Sequence, residues 1–271
     1  MPLLLIFFIV LMVRSLTLDG AFAGVEFMFV PDWSYLTWET VLLALGQAFF
    51  TLSVGVSVMM TYASYLGRKE RIGSAGVTVA SMNILISLMA GLVIFPAVFA
   101  YGFEPDAGPG LVFIVLPAVF DAIPFGSFFL ILFLILLLFA TLTSSISMLE
   151  ILVSIVIGER RRSRTRVAWI GGLAIFLVGI PSALSFGIWS DVKIFGQTIF
   201  DFVDFLTNNI GMPIGALLIA LFAGYYYSKE TSQYELDVSP IWYNTWRVLI
   251  RYVVPVAIIV IFIQGIQPIF T

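Results

Sequence analysis

Cysteine and histidine are both absent from this 271-residue chain. Without cysteine there is no disulfide, thiol nucleophile or thiolate metal site. Without histidine there is no Ser-His-Asp triad, no HExxH protease centre and no His-ligated zinc. Charge is scarce as well. Charged residues make up 11% and apolar residues 61% of the chain, whereas a soluble domain carries about a quarter charged residues. That balance excludes a soluble globular domain and reads as an all-α polytopic membrane protein. No cleavable signal peptide is read at the start. Residues 1–13 are apolar but carry no basic leader, and the nearby Arg14 follows them.

Seven apolar runs are long enough for spans of roughly 20 residues. They cover about 2–17, 39–66, 73–101, 125–157, 167–188, 199–227 and 245–267. They are continuously apolar rather than alternating, which predicts helices and not a barrel. The expectation is a single transmembrane domain over 1–271 with seven transmembrane helices. The basic residues sort to one side. Arg68, Lys69 and Arg71 lie between runs two and three. Arg160, Arg161, Arg162, Arg164 and Arg166 lie between runs four and five. Lys229, Arg247 and Arg251 flank the connection between runs six and seven. If each run crosses once, these three connections share one side, which the positive-inside rule makes cytoplasmic. Asp19, Glu26, Asp32, Glu104, Asp106, Asp121 and Asp191 lie opposite. The expected protein is therefore multi-pass in the cell (plasma) membrane, with a cytoplasmic N-terminus and an extracellular C-terminus. The arginine cluster reads as a topology signal, not a nucleic-acid surface. Trp33, Tyr35, Trp38, Trp242 and Tyr243 read as interfacial anchors. The segment 104–126 is apolar yet too short and Pro-rich to span, which predicts a capping helical hairpin on the outer face, or a loop packed on the bundle.

Polar residues inside the runs carry the functional signal. Residues 46–55, GQAFFTLSVG, place Gly46, Gln47, Thr51, Ser53 and Gly55 at the centre of an apolar run. Such groups are costly in hydrocarbon unless they bind something or line a cavity. A helix unwound near 53–55 would expose carbonyls and amides, which with hydroxyl oxygens are hard ligands suited to a small cation such as sodium. Asn83 and Ser87 follow at i, i+4 spacing and so share a face. Residues 140–147 hold Ala140, Thr141, Thr143, Ser144, Ser145 and Ser147, with Glu150 beyond. An ionisable residue in a span is a functional candidate by default, while a helix dipole or a polar neighbour is an equal account of Glu150. Asp201 and Asp204 open run six, either as a gate with a basic partner or as interfacial carboxylates without one. Asn208, Asn209, Gly211 and Pro213 predict a local break or kink.

These residues resemble the neurotransmitter:sodium symporter family. GQAFFTLSVGVSVMMTYASY is similar to that family's unwound sixth helix, and LFATLTSSISMLE to its eighth. Asn83 falls where the family's seventh-helix asparagine does, and Asp201 and Asp204 resemble the paired acids of its tenth helix. The resemblance covers the chain in order as helices five to eleven. It implies a partial LeuT-type inverted-repeat fold, second repeat largely complete and first mostly absent, and a sodium-coupled symporter of amino acids. By motif position it implies sodium ligation by Thr51 and Asn83 near the substrate, and by the Ala140 carbonyl with Thr143 and Ser144 at a second site. It implies a substrate pocket of Phe50, Thr51, Ser53, Val56, Ser144 and Met148, with Phe50 as the lid. Asp204 would be the acid of the outer gate. Val56 and Met148 favour a neutral or hydrophobic amino acid over the family's other substrate class, a biogenic amine. Gln47, Thr51, Asn83 and Ser87 match the family's chloride-type pattern, lacking its tyrosine. Two sodium charges want a nearby negative charge, from chloride or from a carboxylate elsewhere.

The departure is the missing first four helices, which in the family supply half of both sodium sites and the partner of Asp204. The expectation is a C-terminal portion that does not transport alone and whose partners are the missing N-terminal helices, an amino acid and the lipid bilayer, with no nucleic acid. The rivals are an inert truncated gene product and an ion channel subunit, though polar residues clustered at one depth favour a closed site over a pore lining. An enzyme is not expected. There is no GxGD-type motif, and Lys69, Lys193 and Lys229 lie in loops or at membrane ends.

Overall fold

The computed structural model describes residues 2–67, 70–103, 105, 110–122, 124–158 and 163–266. Its helices run in order α1 (Pro2–Leu16), α2 (Ala21–Phe29), α3 (Trp38–Thr51), α4 (Val58–Ala63), α5 (Ile72–Ala100), α6 (Leu116–Ala122), α7 (Gly126–Ile157), α8 (Arg164–Leu184), α9 (Ile199–Phe205), α10 (Met212–Leu221), α11 (Lys229–Leu236), α12 (Pro240–Val248) and α13 (Val254–Ile266). Helices dominate because a bilayer offers no water to satisfy an unpaired backbone.

Among the described residues, five helical stretches are long and apolar enough to cross a membrane: Ile72–Ala100, Gly126–Ile157, Arg164–Leu184, Ile199–Tyr226 and Pro240–Ile266. A sixth results only if the bent pair α1 and α2 counts as one span. The two other expected runs, 2–17 and 39–66, are not single long helices, for two local reasons. The described helix α1 has 15 residues, about 22 Å at 1.5 Å each, and α2 leaves it at 112°. The run at 39–66 becomes helices of 14 and 6 residues, parted by the non-helical residues 52–57.

The chain divides into two compact units, Met1–Leu36 with Val79–Ile146, and Thr37–Thr78 with Ser147–Thr271. In the first unit, Leu11, Val93, Val98, Leu116, Phe120, Phe133 and Leu136 form the buried core, drawing on α1, α5, α6 and α7. The Pro-rich apolar segment therefore enters that core as a helix over 110–122, opening with the π-helical turn Leu111–Val115. The first arm of the expected hairpin, with Glu104 and Asp106, lies outside the described residues. Gly24 permits α2 to lie directly on α5. A Cβ there would sit 2.5 Å from the Phe95 carbonyl carbon and from the Pro96 nitrogen. Phe27 then packs its ring against Phe95 and Phe99, at 5.2 and 5.1 Å between centroids.

In the second unit the core is Ala216, Ala220 and Ile258, with Phe49, Val54, Leu217, Ile250 and Val254 packed on it. Small residues predominate because membrane helices gain little from hydrophobicity among lipid tails and associate by close packing. Three π-helical turns interrupt the long spans, at Leu206–Gly211, Phe222–Tyr226 and Leu249–Val253. The first precedes Pro213, which lacks the N–H that a preceding carbonyl needs, and a widened turn accommodates that loss. This is the form taken by the break expected at 208–213. A two-stranded hairpin, Lys193–Ile194 with Gln197–Thr198, joins α8 to α9. Its turn residues Phe195 and Gly196 both have positive φ, 52° and 83°, as a two-residue hairpin loop requires.

Tyr243 is not an interfacial anchor. It is fully buried. Its hydroxyl lies 2.7 Å from Ser232 Oγ, accepts from Arg247 Nη1 at 2.7 Å and donates to the Lys229 carbonyl at 3.3 Å. That knot fastens α11 to α12. Trp33, Tyr35, Trp38 and Trp242 are exposed.

Candidate functional site

The broken helix of the second unit is built from its caps inward. Thr37 caps α3, accepting from the Thr40 amide at 3.2 Å. The helix then runs to Thr51, and Gln47 Nε2 donates to Thr51 Oγ1 one turn on, at 3.4 Å. Beyond Thr51 the backbone alternates into the left-handed region at Ser53, Gly55 and Ser57, with φ of 52°, 94° and 65°. Left-handed geometry costs a residue with a side chain about 1–2 kcal/mol, so two serines there mark a conformation held by its surroundings. Residues 51–57 are half-buried. Hydrogen bonds from Ser53 N to Phe50 O and from Val54 N to Phe49 O, both 2.9 Å, close the turn, and helix resumes at Val58.

Two backbones meet under this turn. A Cβ at Gly55 would overlap the Met212 carbonyl oxygen and lie 2.8 Å from the Ala216 amide nitrogen. A Cβ at Gly215 would overlap the Gly55 carbonyl oxygen. Beside the turn, a cavity of about 700 Å³ is lined by Gln47, Phe49 and Phe50 of α3, by Asn208 and Asn209, and by Ile261 and Gln264 of α13. Asn209 donates to the Gly265 carbonyl at 2.9 Å.

The paired acids of α9 differ in role. Thr198 caps α9 through the Asp201 amide at 3.2 Å, and its hydroxyl donates to the Asp201 carboxylate at 2.6 Å. Asp201 thus belongs to a helix cap. Asp204 instead accepts from Asn208 Nδ2 at 2.8 Å, one turn on. Neither acid makes an ion pair among the described residues.

Glu150, near the end of α7, has polar neighbours. The Tyr65 hydroxyl donates to its Oε1 and Arg164 Nη2 to its Oε2, both at 2.5 Å. Alongside, Tyr62 donates to Ser147 Oγ at 2.9 Å. Sequence reasoning singled out Glu150 and missed Tyr62, Tyr65 and Arg164 as its surroundings. The two tyrosines stand in the motif that carries the family resemblance, three residues apart and hence on one face. That spacing was the available signal. Arg160, Arg161 and Arg162, like Arg68 and Lys69, lie outside the described residues.

The first unit holds the other expected ligands. Asn83 and Ser87 lie on α5, Asn83 half-buried and Ser87 exposed. On α7 the Thr143 hydroxyl donates to the Phe139 carbonyl at 3.0 Å and to the Ala140 carbonyl at 2.9 Å. The hydroxyl and the Ala140 oxygen thus converge on one side of the helix. Thr141 and Ser145 donate back to the carbonyls of Leu137, Leu138 and Thr141. Residues 141–146 are all exposed. Phe50, Thr51, Ser53, Val56 and Met148 fall in the second unit. Among the described residues no group of His, Cys, Asp and Glu is arranged to hold a metal, so a cation would rely on hydroxyl and carbonyl oxygens.

The model of the sodium:neurotransmitter symporter family matches residues 1–270. An uncharacterized sodium-dependent transporter, YhdH of Bacillus subtilis, is 50% identical over 97% of this chain and 59% of its own length. An uncharacterized sodium-dependent transporter of Haemophilus influenzae is 40% identical over 98% of this chain and 58% of its own. The crystal structure of MhsT in complex with L-phenylalanine is similar at a TM-score of 0.87 and 43% identity, over 98% of this chain and 61% of that one. The chain therefore spans less than two thirds of the length of these relatives. The similarity to MhsT extends the partial LeuT-type fold across both units, and the relatives carry the names of transporters rather than enzymes. The chain belongs to the sodium:neurotransmitter symporter family.

Proposed function

We propose that this chain forms part of a sodium-coupled symporter of neutral or hydrophobic amino acids. The carrying observation is the interruption of an apolar helix by three left-handed residues, Ser53, Gly55 and Ser57. It frees backbone carbonyls and amides inside a membrane segment, where irregular backbone is tolerated only beside protein or a cavity. Similarity to MhsT, solved with L-phenylalanine, supports an amino acid as the ligand.

By resemblance, Thr51 and Asn83 give oxygens to the sodium nearer the substrate, and Ala140, Thr143 and Ser144 to the second. Phe50, Thr51, Ser53, Val56, Ser144 and Met148 contact the amino acid, with Phe50 as its lid. Asp204 is the outer-gate acid, a role supported by Asp201 being engaged in the helix cap. Gln47, Thr51, Asn83 and Ser87 are the set for a chloride that offsets the sodium charge. A carboxylate elsewhere is the alternative, and uptake unchanged in gluconate would favour it. The protein sits in the plasma membrane with its basic connections inside, so the described N-terminus is cytoplasmic and the C-terminus extracellular. The exposed hydroxyls of α7 support a site completed by residues beyond this chain, so the 271 residues assayed by themselves should accumulate nothing.

The test is uptake of labelled L-phenylalanine and L-leucine into proteoliposomes holding the natural full-length protein. Accumulation should require an inward sodium gradient and collapse when choline replaces sodium. Sodium-independent uptake, or ion conduction without amino acid, would overturn the reading.

A further inference from the structure

The turn at residues 52–57 is held in place from outside itself. Its hydrogen bonds are few, and the one from Val56 N to Ser53 O is long, at 3.4 Å. Two of its left-handed residues are serines. Such strain persists only where neighbouring structure over-determines it. The neighbour is α10. The Cβ direction of Gly55 points at the Met212 carbonyl oxygen, and that of Gly215 at the Gly55 carbonyl oxygen. The two glycines thus let the backbones of a turn and a helix approach closely, as small residues do between membrane helices. Val54, between Ser53 and Gly55, packs on the core of Ala216, Ala220 and Ile258. The turn is thus pinned by one side chain and two bare α-carbons.

We infer that Gly215 is a positioning residue for the half-site at the helix break, fixing the depth at which residues 53–57 lie and hence the spacing of the backbone groups they present. The inference rests on the reading of that break as a substrate and sodium half-site. Gly215 is not among the residues proposed to contact either ligand and acts through Gly55. At Gly215 the added methyl group would meet the Gly55 carbonyl oxygen, with the Gly55 carbonyl carbon at 3.1 Å and its Cα at 3.3 Å. All three atoms are backbone, so no side-chain rotation relieves the overlap, and the turn itself must move. Gly215 lies on the span that also carries Asp204 and the Leu206–Gly211 π-turn. The contact therefore ties the broken helix to the span bearing the proposed gate.

The experiment compares Gly215→Ala with Gly179→Ala in the natural full-length protein. Gly179 lies in α8 with nothing within 4 Å of a Cβ, so it controls for the general effect of alanine in a span. Amide hydrogen exchange in lipid nanodiscs is followed on the peptide covering 52–57, alongside sodium-dependent amino-acid binding and uptake. Gly215→Ala should speed exchange in that peptide by about tenfold or more, leave the α8 peptides unchanged and weaken apparent sodium and amino-acid affinity by about tenfold. Its maximal uptake rate per folded molecule should fall less. If Gly215→Ala does not fold, Val54→Ala, which loosens the same turn without adding atoms, should move exchange and affinity in the same direction. Unchanged exchange, or exchange and thermal stability altered with affinities intact, would overturn the inference. If the unmodified protein binds no amino acid, the functional reading fails instead, and the exchange arm still decides whether Gly215 holds the turn.

Discussion

The Tyr65 hydroxyl donates to the Glu150 carboxylate 2.5 Å away, joining residues 85 positions apart. Arg164 takes the other carboxylate oxygen, and the carboxylate side chain is 14% exposed against 62% for the guanidinium. The exposure difference orders the consequences of mutation. Removing an exposed cation from an ion pair costs little, roughly 0–1 kcal/mol. Removing the tyrosine hydroxyl takes a charge-directed hydrogen bond from a shielded carboxylate, about 1.5–3 kcal/mol. Tyr65→Phe is therefore expected to lower thermal stability more than Arg164→Ala. A double-mutant cycle read from melting in nanodiscs should give coupling between Tyr65 and Glu150 larger than that between Arg164 and Glu150.

Ser57 opens α4 with a left-handed φ of 65°. Glycine adopts that conformation freely but loses about 0.5–1 kcal/mol of chain entropy on ordering, close to the relief it brings. Ser57→Gly should leave melting and uptake within narrow limits of the unmodified protein. Ser57→Val places a β-branched side chain in the same region and should cost about 2 kcal/mol with a matching loss of folded protein. Equal behaviour of the two variants would show that the turn does not keep this conformation.

The helical, membrane-spanning character of the chain is legible because unbroken apolar runs leave few other solutions. The break in the run at 39–66 is legible too, since Gly46, Gln47, Thr51, Ser53 and Gly55 crowd a place that hydrocarbon penalises. Its extent is not, because nothing in the composition distinguishes a left-handed serine from a helical one. Gly215 reads as one more small residue in an apolar helix. Its significance depends on Gly55 lying across it, a contact 160 residues away in sequence. The π-turns carry no periodic signal, and Pro213 hints only at a kink. Tyr243 misleads for a related reason. A tyrosine near a span end reads as an anchor until Ser232 and Arg247 are seen to enclose its hydroxyl.

Burial of Tyr243 makes its hydroxyl a sensitive position. Tyr243→Phe leaves the ring packing intact but strips a partner from both Ser232 and Arg247. Leaving buried groups unsatisfied costs about 1–3 kcal/mol. Ser232→Ala should cost less, because Tyr243 retains Arg247 and the Lys229 carbonyl. The double variant should be no worse than Tyr243→Phe alone, since both changes break one network. Melting curves of the three variants in nanodiscs check the order, and sodium-dependent uptake per folded molecule should stay unchanged.

The hydroxyls of α7 are chemically alike but not equivalent in the proposed mechanism. Thr141 and Thr143 make the same pair of bonds to their own preceding turns, Thr141 to the Leu137 and Leu138 carbonyls and Thr143 to those of Phe139 and Ala140. What separates them is the proposal made by resemblance, in which Thr143 and the Ala140 carbonyl, 2.9 Å apart, are hard ligands of the second sodium and Thr141 is not. Replacing Thr143 by Val keeps the shape and removes one sodium ligand. The sodium concentration for half-maximal uptake should rise about tenfold or more, because a missing ligand of roughly 1.4 kcal/mol changes an equilibrium constant by ten. Thr141→Val should shift it by less than about twofold, since the lost bond is a local one of about 1 kcal/mol that affects stability rather than ion affinity. Sodium titrations of uptake in proteoliposomes separate the two positions. A larger sodium shift for Thr141→Val than for Thr143→Val would move the second ion site away from Ala140 and Thr143.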